Sequence, residues 1–226
     1  MAFRPPPPPL LQKVLRFKSM EHKDGKFLLW GTPCLISPLN VTVFLFKFLG
    51  ENYGFDTAKE CMYFTGKFQA KLGIYIINKR FGYAKTILDK RRLLEFNTTQ
   101  TEVLGLGQWH WKRMGLGTDN IFIVYGISPF AEMYKRLFGM SKDVVDYFHM
   151  GIAAGGIEAT VTEKMVCIEE TCVAKGDSYC QFITKPIDQW DRNDKLVKQN
   201  KFLFEKSDLD KKLQEKINVV LAIKPE

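Results

Sequence analysis

No stretch of these 226 residues is apolar for long enough to cross a bilayer. The most apolar segment, Leu39 to Leu49, is interrupted by Lys47 and falls well short of the roughly 20 residues that a spanning helix needs. The chain begins Met1-Ala2-Phe3-Arg4 and runs into Pro5 to Pro9, which lacks the continuous apolar core of a secretory signal and reads as a stiff polyproline II arm. Histidine is scarce, with three in all, and no Ser-His-Asp order or Cys-His pair presents itself as nucleophile and base. No dinucleotide fingerprint follows a strand, since Gly105-Leu106-Gly107 lacks the third glycine and the βαβ setting. The five cysteines, at 34, 61, 167, 172 and 180, are odd in number and irregularly spaced, unlike the framework of a secreted disulfide-rich domain. A reducing, cytoplasmic setting is therefore expected.

A one-signed charge pattern is missing too. The net charge of +8 comes from 33 basic residues interspersed with 25 acidic ones, and no dedicated basic arm stands apart. Lys90-Arg91-Arg92 and the group Lys67, Lys71, Lys79 and Arg80 could form a basic face able to attract phosphate. Without a helix-turn-helix, zinc-finger or RNA-binding signature, a solvated helix surface is the simpler reading, and nucleic acid is not an expected partner.

What the chain does have is material for a core. With 46% hydrophobic and 13% aromatic residues it can bury one sizeable domain. The expected division is a polyproline arm and basic lead-in over 1–25, a binding domain over 26–186 and a polar extension with a helix over 187–226. A strand is expected within Lys26 to Cys34. Ser37-Pro38 and Gly50 then bracket a helix, and Asp56 opens a longer one to about Asn78. Tyr83 to Phe96 reads as helix, and Trp109-His110-Trp111-Lys112 and Asn120 to Tyr125 as strands. Ser128-Pro129 caps Phe130 to Phe138, and Ser141 to about Ala159 forms a further helix. Two more strands complete an α+β fold, an antiparallel sheet covered by helices on one side. In the extension, Ser207 caps a helix whose Leu209, Leu213 and Ile217 make one apolar stripe, to pack on the domain or to meet a partner.

The chemistry is concentrated in one hairpin. Val166 to Val173 alternates and is β-branched, Lys175-Gly176-Asp177-Ser178 is turn composition, and Tyr179 to Thr184 returns. A turn centred on Gly176 sets Cys172 opposite Cys180 on one face, with Glu169 nearby. Two thiolates and a carboxylate suit Zn²⁺. The same spacing also suits two small buried apolar residues, or a cross-strand disulfide; Cys167 reads as core.

The run Gly151-Ile152-Ala153-Ala154-Gly155-Gly156, followed by Glu169, Cys172, Gly176, Cys180 and Phe182, resembles the V4R (4-vinyl reductase) domain family. That family is marked by a helical G-x-x-x-G segment leading into an E-x-x-C-x-x-x-G-x-x-x-C-x-F hairpin. The match is ordered and ungapped, strongest over Ser128 to Thr184, with a weaker likeness back through Gly50, Gly54 and Gly66. The family includes ligand-sensing domains of bacterial regulators responding to aromatic hydrocarbons, a protein of bacteriochlorophyll synthesis, and small subunits of a eukaryotic vesicle-tethering complex. In the sensors, zinc is held by a helix cysteine, the motif glutamate and both hairpin cysteines, which implies Glu169, Cys172 and Cys180 here. The helix-cysteine position falls on Asp146, so Asp146 and His149, three residues further on the same helical face, compete as fourth ligand. A site closed by four protein ligands is structural; loss of one would open a water position.

The resemblance implies a hydrophobic small molecule as ligand and a homodimer, with zinc pinning the hairpin beneath an apolar pocket. The aromatic residues Phe44, Phe46, Phe48, Trp109, Trp111 and Phe130 are the candidates to line that pocket. Gly151, Gly155 and Gly156, costly inside a helix by about 1 kcal/mol each relative to alanine, imply close approach to another element, within the chain or across a dimer, or else a helix end. The alternative functions are an assembly subunit like the tethering proteins, its interior constitutively filled, and a reductase.

Overall fold

The computed structural model describes residues 20–23, 26–29, 32–34, 37–81, 85–205 and 207–222. The polyproline arm lies outside them. Three short strands, β1 (Met20–Lys23), β2 (Lys26–Leu29) and β3 (Thr32–Cys34), form an antiparallel sheet of their own, so the strand expected within Lys26 to Cys34 is two strands and is separate from the main sheet. The helices α1 (Leu39–Tyr53), α2 (Phe55–Phe81) and α3 (Ile87–Val103) follow. Pro38 and Gly54 flank α1, and Gly54 has a φ of 91°, which halts it and lets α2 start at once in a new direction. The α3 helix begins later than Tyr83 because Thr86 and Asp89 form a reciprocal capping box.

The main sheet is antiparallel, in the order β4 (Gln108–Met114), β5 (Phe122–Ile127), β7 (Cys180–Pro186), β6 (Met165–Thr171). Between β5 and β6 lie α4 (Pro129–Phe138) and α5 (Tyr147–Val161). Ser128 caps α4 by accepting from the Ala131 N–H at 3.1 Å, as its Ser-Pro signature predicts. The α5 helix starts at Tyr147, not Ser141, because the Asp146 side chain takes the N-cap role. The α+β arrangement read from the sequence is the one observed.

The centre of the molecule is the pairing of α5 with α2. A Cβ at Gly151 would overlap the carbonyl oxygen of Tyr63, and one at Gly155 that of Lys67, while Gly66 makes the reciprocal approach to the Phe148 carbonyl. These glycines let two helices touch backbone to backbone within one chain. Beside them Phe46 packs against Phe130, Tyr134 and Tyr147, with ring centroids 6.0, 6.2 and 6.2 Å away. Past β7, α6 (Lys195–Gln199), α7 (Phe202–Glu205) and α8 (Ser207–Ala222) return to this core. Trp190, Val197, Leu203, Leu213 and Ile217 are buried in it, so the Leu213 and Ile217 part of the α8 stripe packs on the chain itself. An ion-pair cluster joins the same elements: Lys67 meets Glu158 at 3.0 Å and Asp210 at 2.8 Å, Lys71 meets Glu158 at 2.7 Å, and Lys164 meets Asp210 at 3.1 Å. Among the described residues, no helix is long and apolar enough to cross a membrane.

Candidate ligand pocket and metal centre

In a regular strand, residues three apart face opposite sides of the sheet. Glu169 and Cys172 are three apart, yet their ligand atoms and that of Cys180 lie within 4.8 Å of one another. A bulge reconciles the two facts: Glu169 pairs with Phe182 but Thr171 with Gln181, so the β6 edge carries an extra residue and turns. A short 3₁₀ turn over Val173–Lys175 then closes the hairpin, with Gly176 at a φ of 101°. Asp177 fixes the turn by accepting the Cys172 N–H at 2.8 Å, and Val173 N–H points at Cys180 Sγ at 3.4 Å. No disulfide joins Cys167, Cys172 and Cys180.

The three groups are fully buried, and this carboxylate is only half satisfied. Glu169 Oε2 accepts the Asp146 backbone N–H at 3.1 Å, whereas Oε1 has no hydrogen-bond partner. Burial, reinforced by the nearby charges of Cys172 and Asp146, pushes the Glu169 carboxyl well above the usual range. Donation from Cys180 lowers the Cys172 thiol to about 7 against the opposing effect of burial, and correspondingly raises Cys180. An orphaned carboxylate oxygen against one acidified thiol and its partner is a donor set that fits a borderline-soft divalent cation such as zinc.

Asp146 and His149 do something else with their side chains. The Asp146 carboxylate accepts from the Ser128 hydroxyl, from the His149 N–H at 3.1 Å and from His149 Nδ1 at 2.7 Å. His149 Nε2 lies 2.6 Å from the Leu106 carbonyl. Each ring nitrogen of His149 thus has a polar partner within the chain.

His149 also forms part of a cavity of about 60 Å³ between the sheet, α3 and α5. Trp109 and Trp111 on β4, Val124 on β5 and Phe182 on β7 form its floor; Ile152, Ala153, Gly156 and Ile157 of α5 and Leu94, Asn97, Thr98 and Thr101 of α3 form its walls. The volume is several times the roughly 10–15 Å³ that one water requires. The polar groups at its edge are mostly committed: Trp109 Nε1 donates to the Leu106 carbonyl at 3.0 Å, and Thr98 and Thr101 bond back to their own helix. The Trp111 indole N–H is the exception, buried and without a partner.

The structure divides the six aromatic candidates. Trp109 and Trp111 line the cavity; Phe46 and Phe130 pack together in the core; Phe44 and Phe48 are 60% and 44% exposed. Phe182 lines the cavity from within the hairpin motif, and His149 from the helix. The α3 wall went unrecognised in the sequence although Leu94, Asn97, Thr98 and Thr101 fall at i, i+3, i+4 and i+7, the spacing of one helix face.

No protein-family model matches the chain. A 68-residue segment, 30% of the chain, is 31% identical to the phenol regulator MopR of Acinetobacter guillouiae, covering 12% of that protein's length. The chain superposes on the phenol-responsive sensory domain of the transcription activator PoxR, solved with phenol, with a TM-score of 0.72 and 16% identity over 86% of this chain and 95% of that domain. A vinyl-4-reductase family protein from Methanocaldococcus jannaschii aligns over 82% of the chain and 98% of its own, with a TM-score of 0.44 and 16% identity. The resemblance to V4R-type domains read from the hairpin motif thus extends to a shared fold with a sensory domain.

Proposed function

We propose that this chain is a sensing or binding module for a small, mainly apolar aromatic molecule, held in the cavity between the sheet, α3 and α5. The observation that carries this is a cavity walled mainly by apolar and aromatic side chains, among them Trp111, whose buried indole N–H has no partner within the chain. The fold shared with the phenol-responsive domain of PoxR and the segment similar to MopR favour a phenol or a near relative over other apolar ligands.

In this proposal zinc is the second constituent. Glu169, Cys172 and Cys180 would hold it, and its chemistry would be structural, neutralising buried negative charge and tying β6 to β7. The domain proper spans 26–186, the extension 187–226 packs on it through Trp190, Val197, Leu203, Leu213 and Ile217, and the compartment is the reducing cytoplasm. A homodimer is proposed as well, with α1 as its meeting surface, because Val41, Phe44, Leu45 and Phe48 expose apolar side chains at i, i+3, i+4 and i+7.

A thermal-shift screen of phenol, cresols, toluene and cyclohexanol tests the ligand. A compound that binds only the native state contributes about 2.7 kcal/mol at one hundred times its dissociation constant. Phenols should raise the melting temperature most; indifference to all four compounds would remove the proposal.

A further inference from the structure

We propose that the metal centre of this chain has only three protein ligands, Glu169, Cys172 and Cys180, and that its remaining coordination position is open to a small anion entering through a lysine-lined cleft beside Glu169. The inference rests on the metal reading given above.

The first part follows from what Asp146 is doing. Its carboxylate serves the Ser128 hydroxyl, the His149 N–H and the His149 ring, all buried. Turning it toward the thiols would strip an acceptor from each, at about 1–3 kcal/mol for every buried donor left unmet. Its contribution to the metal group is through the backbone, whose N–H orients Glu169 Oε2. His149 is likewise occupied at both ring nitrogens. Among the described residues, no fourth histidine, cysteine or carboxylate joins the trio. Asp146 is thus a positioning residue between the metal group and the ligand cavity.

The second part follows from what adjoins Glu169. A cleft of about 330 Å³ has Glu169 in its wall together with Lys59, Lys142, Lys175, Lys195, Asn200 and the acidic residues Asp143 and Glu170. Two thiolates and a carboxylate around a divalent cation carry a net negative charge, which by itself would discourage an anionic fourth ligand. Lys142, Lys175 and Lys195 on the approach, set against Asp143 and Glu170, and with Lys59 paired to Asp56 at 3.3 Å, leave a small excess of positive charge that offsets that field over distances shorter than the roughly 8–10 Å screening length. The Asn200 side-chain oxygen, on a residue 3% exposed, has no partner, an acceptor suited to a hydrogen carried by the incoming ligand or by water in its place. Tetrahedral zinc with three protein ligands retains one exchangeable position.

The test uses the full chain loaded with cobalt, whose visible spectrum reports ligand type and number. The wild-type protein should bind about one cobalt with thiolate charge-transfer absorption, and azide should shift its d–d bands saturably with no loss of metal. The double variant Lys142→Glu/Lys175→Glu should keep the metal but bind azide at least about tenfold more weakly, while neutral imidazole is little affected. Asp146→Asn should retain the metal with a wild-type spectrum. Because Asp146 also caps α5, the wild-type azide titration decides the matter if that variant does not fold. A cobalt spectrum indifferent to both azide and imidazole, or loss of metal from folded Asp146→Asn, would overturn the inference and leave a closed site. Failure of the wild-type chain to take up zinc or cobalt at all would overturn the metal reading and this inference with it.

Discussion

Trp111 and Cys172 stand for two kinds of residue-level evidence, a buried donor without a partner in the chain and a thiol grouped with a second thiol and a carboxylate within 4.8 Å. Trp111→Phe removes the N–H but keeps the aromatic wall. It should weaken phenol by about 1–2 kcal/mol, the worth of one hydrogen bond in a dry site, and leave toluene within a few tenths; calorimetry on both compounds separates the two, and equal losses would deny the indole its role. Cys172→Ser should abolish zinc retention measured by elemental analysis, and chelation of the wild-type protein should lower its melting temperature, since structural metal binding contributes directly to folding. Melting that ignores both chelator and added zinc would exclude the site. At this scale the sequence was informative where residues sit close along the chain: Glu169, Cys172 and Cys180 could be read from one motif. It was uninformative where the decision depended on partners distant in sequence, as with Asp146, whose role is set by Ser128 and Glu169.

Among the elements, α5 carries the most constraints. One face meets α2 through Gly151 and Gly155, its start orients Glu169, and Ile152, Ala153 and Gly156 border the cavity. Gly151→Ala would gain about 1 kcal/mol of helix propensity, but its new Cβ falls on the Tyr63 backbone, so overpacking of about 3 kcal/mol should prevail. Urea denaturation should therefore find a loss near 2 kcal/mol, the difference of those terms; a gain would mean that α2 can move away. The α8 helix is tied to α5 and α2 by charge. Burial alone would raise the Asp210 carboxyl, but Lys67 and Lys164 hold it below the usual range. A depressed carboxyl stabilises the fold above its unfolded value, about 4, and that contribution disappears as the pH falls through the folded value. Asp210→Asn should accordingly destabilise the chain near neutrality, by about 1 kcal/mol because the carboxylate is partly exposed and Lys67 keeps Glu158 as a partner, and flatten the acid limb of its stability profile. An unchanged acid limb would place that dependence on other carboxylates. The cap at Ser128 and the close-packing glycines of α5 were legible because local chemistry dictates them, whereas the end of α1 was not, since the helix runs through Gly50 and stops at Gly54, nor was the start of α3, because Thr86 and Asp89 act only as a reciprocal pair.

For the molecule as a whole, the order of helices and strands specified an α+β fold, and the structure has it. The first three strands form their own small sheet, in which β2 pairs with both β1 and β3, apart from the sheet of β4 to β7. The cavity was the least legible feature, since it is bounded by α3, α5 and three strands that meet only in the folded chain. Aromatic content pointed to Phe44 and Phe48, which face outward, and missed that small residues such as Ala153 and Gly156 create the space that Trp109 and Trp111 then border. The central claim is that this space receives a small aromatic ligand. Calorimetric titration of phenol into the wild-type chain and into Ala153→Leu, whose added side-chain carbons occupy the cavity, tests it most directly. The account predicts saturable binding at about one site per chain for a single pocket, and its loss in an Ala153→Leu variant that melts cooperatively. Equal binding by both proteins, or by neither, would contradict it.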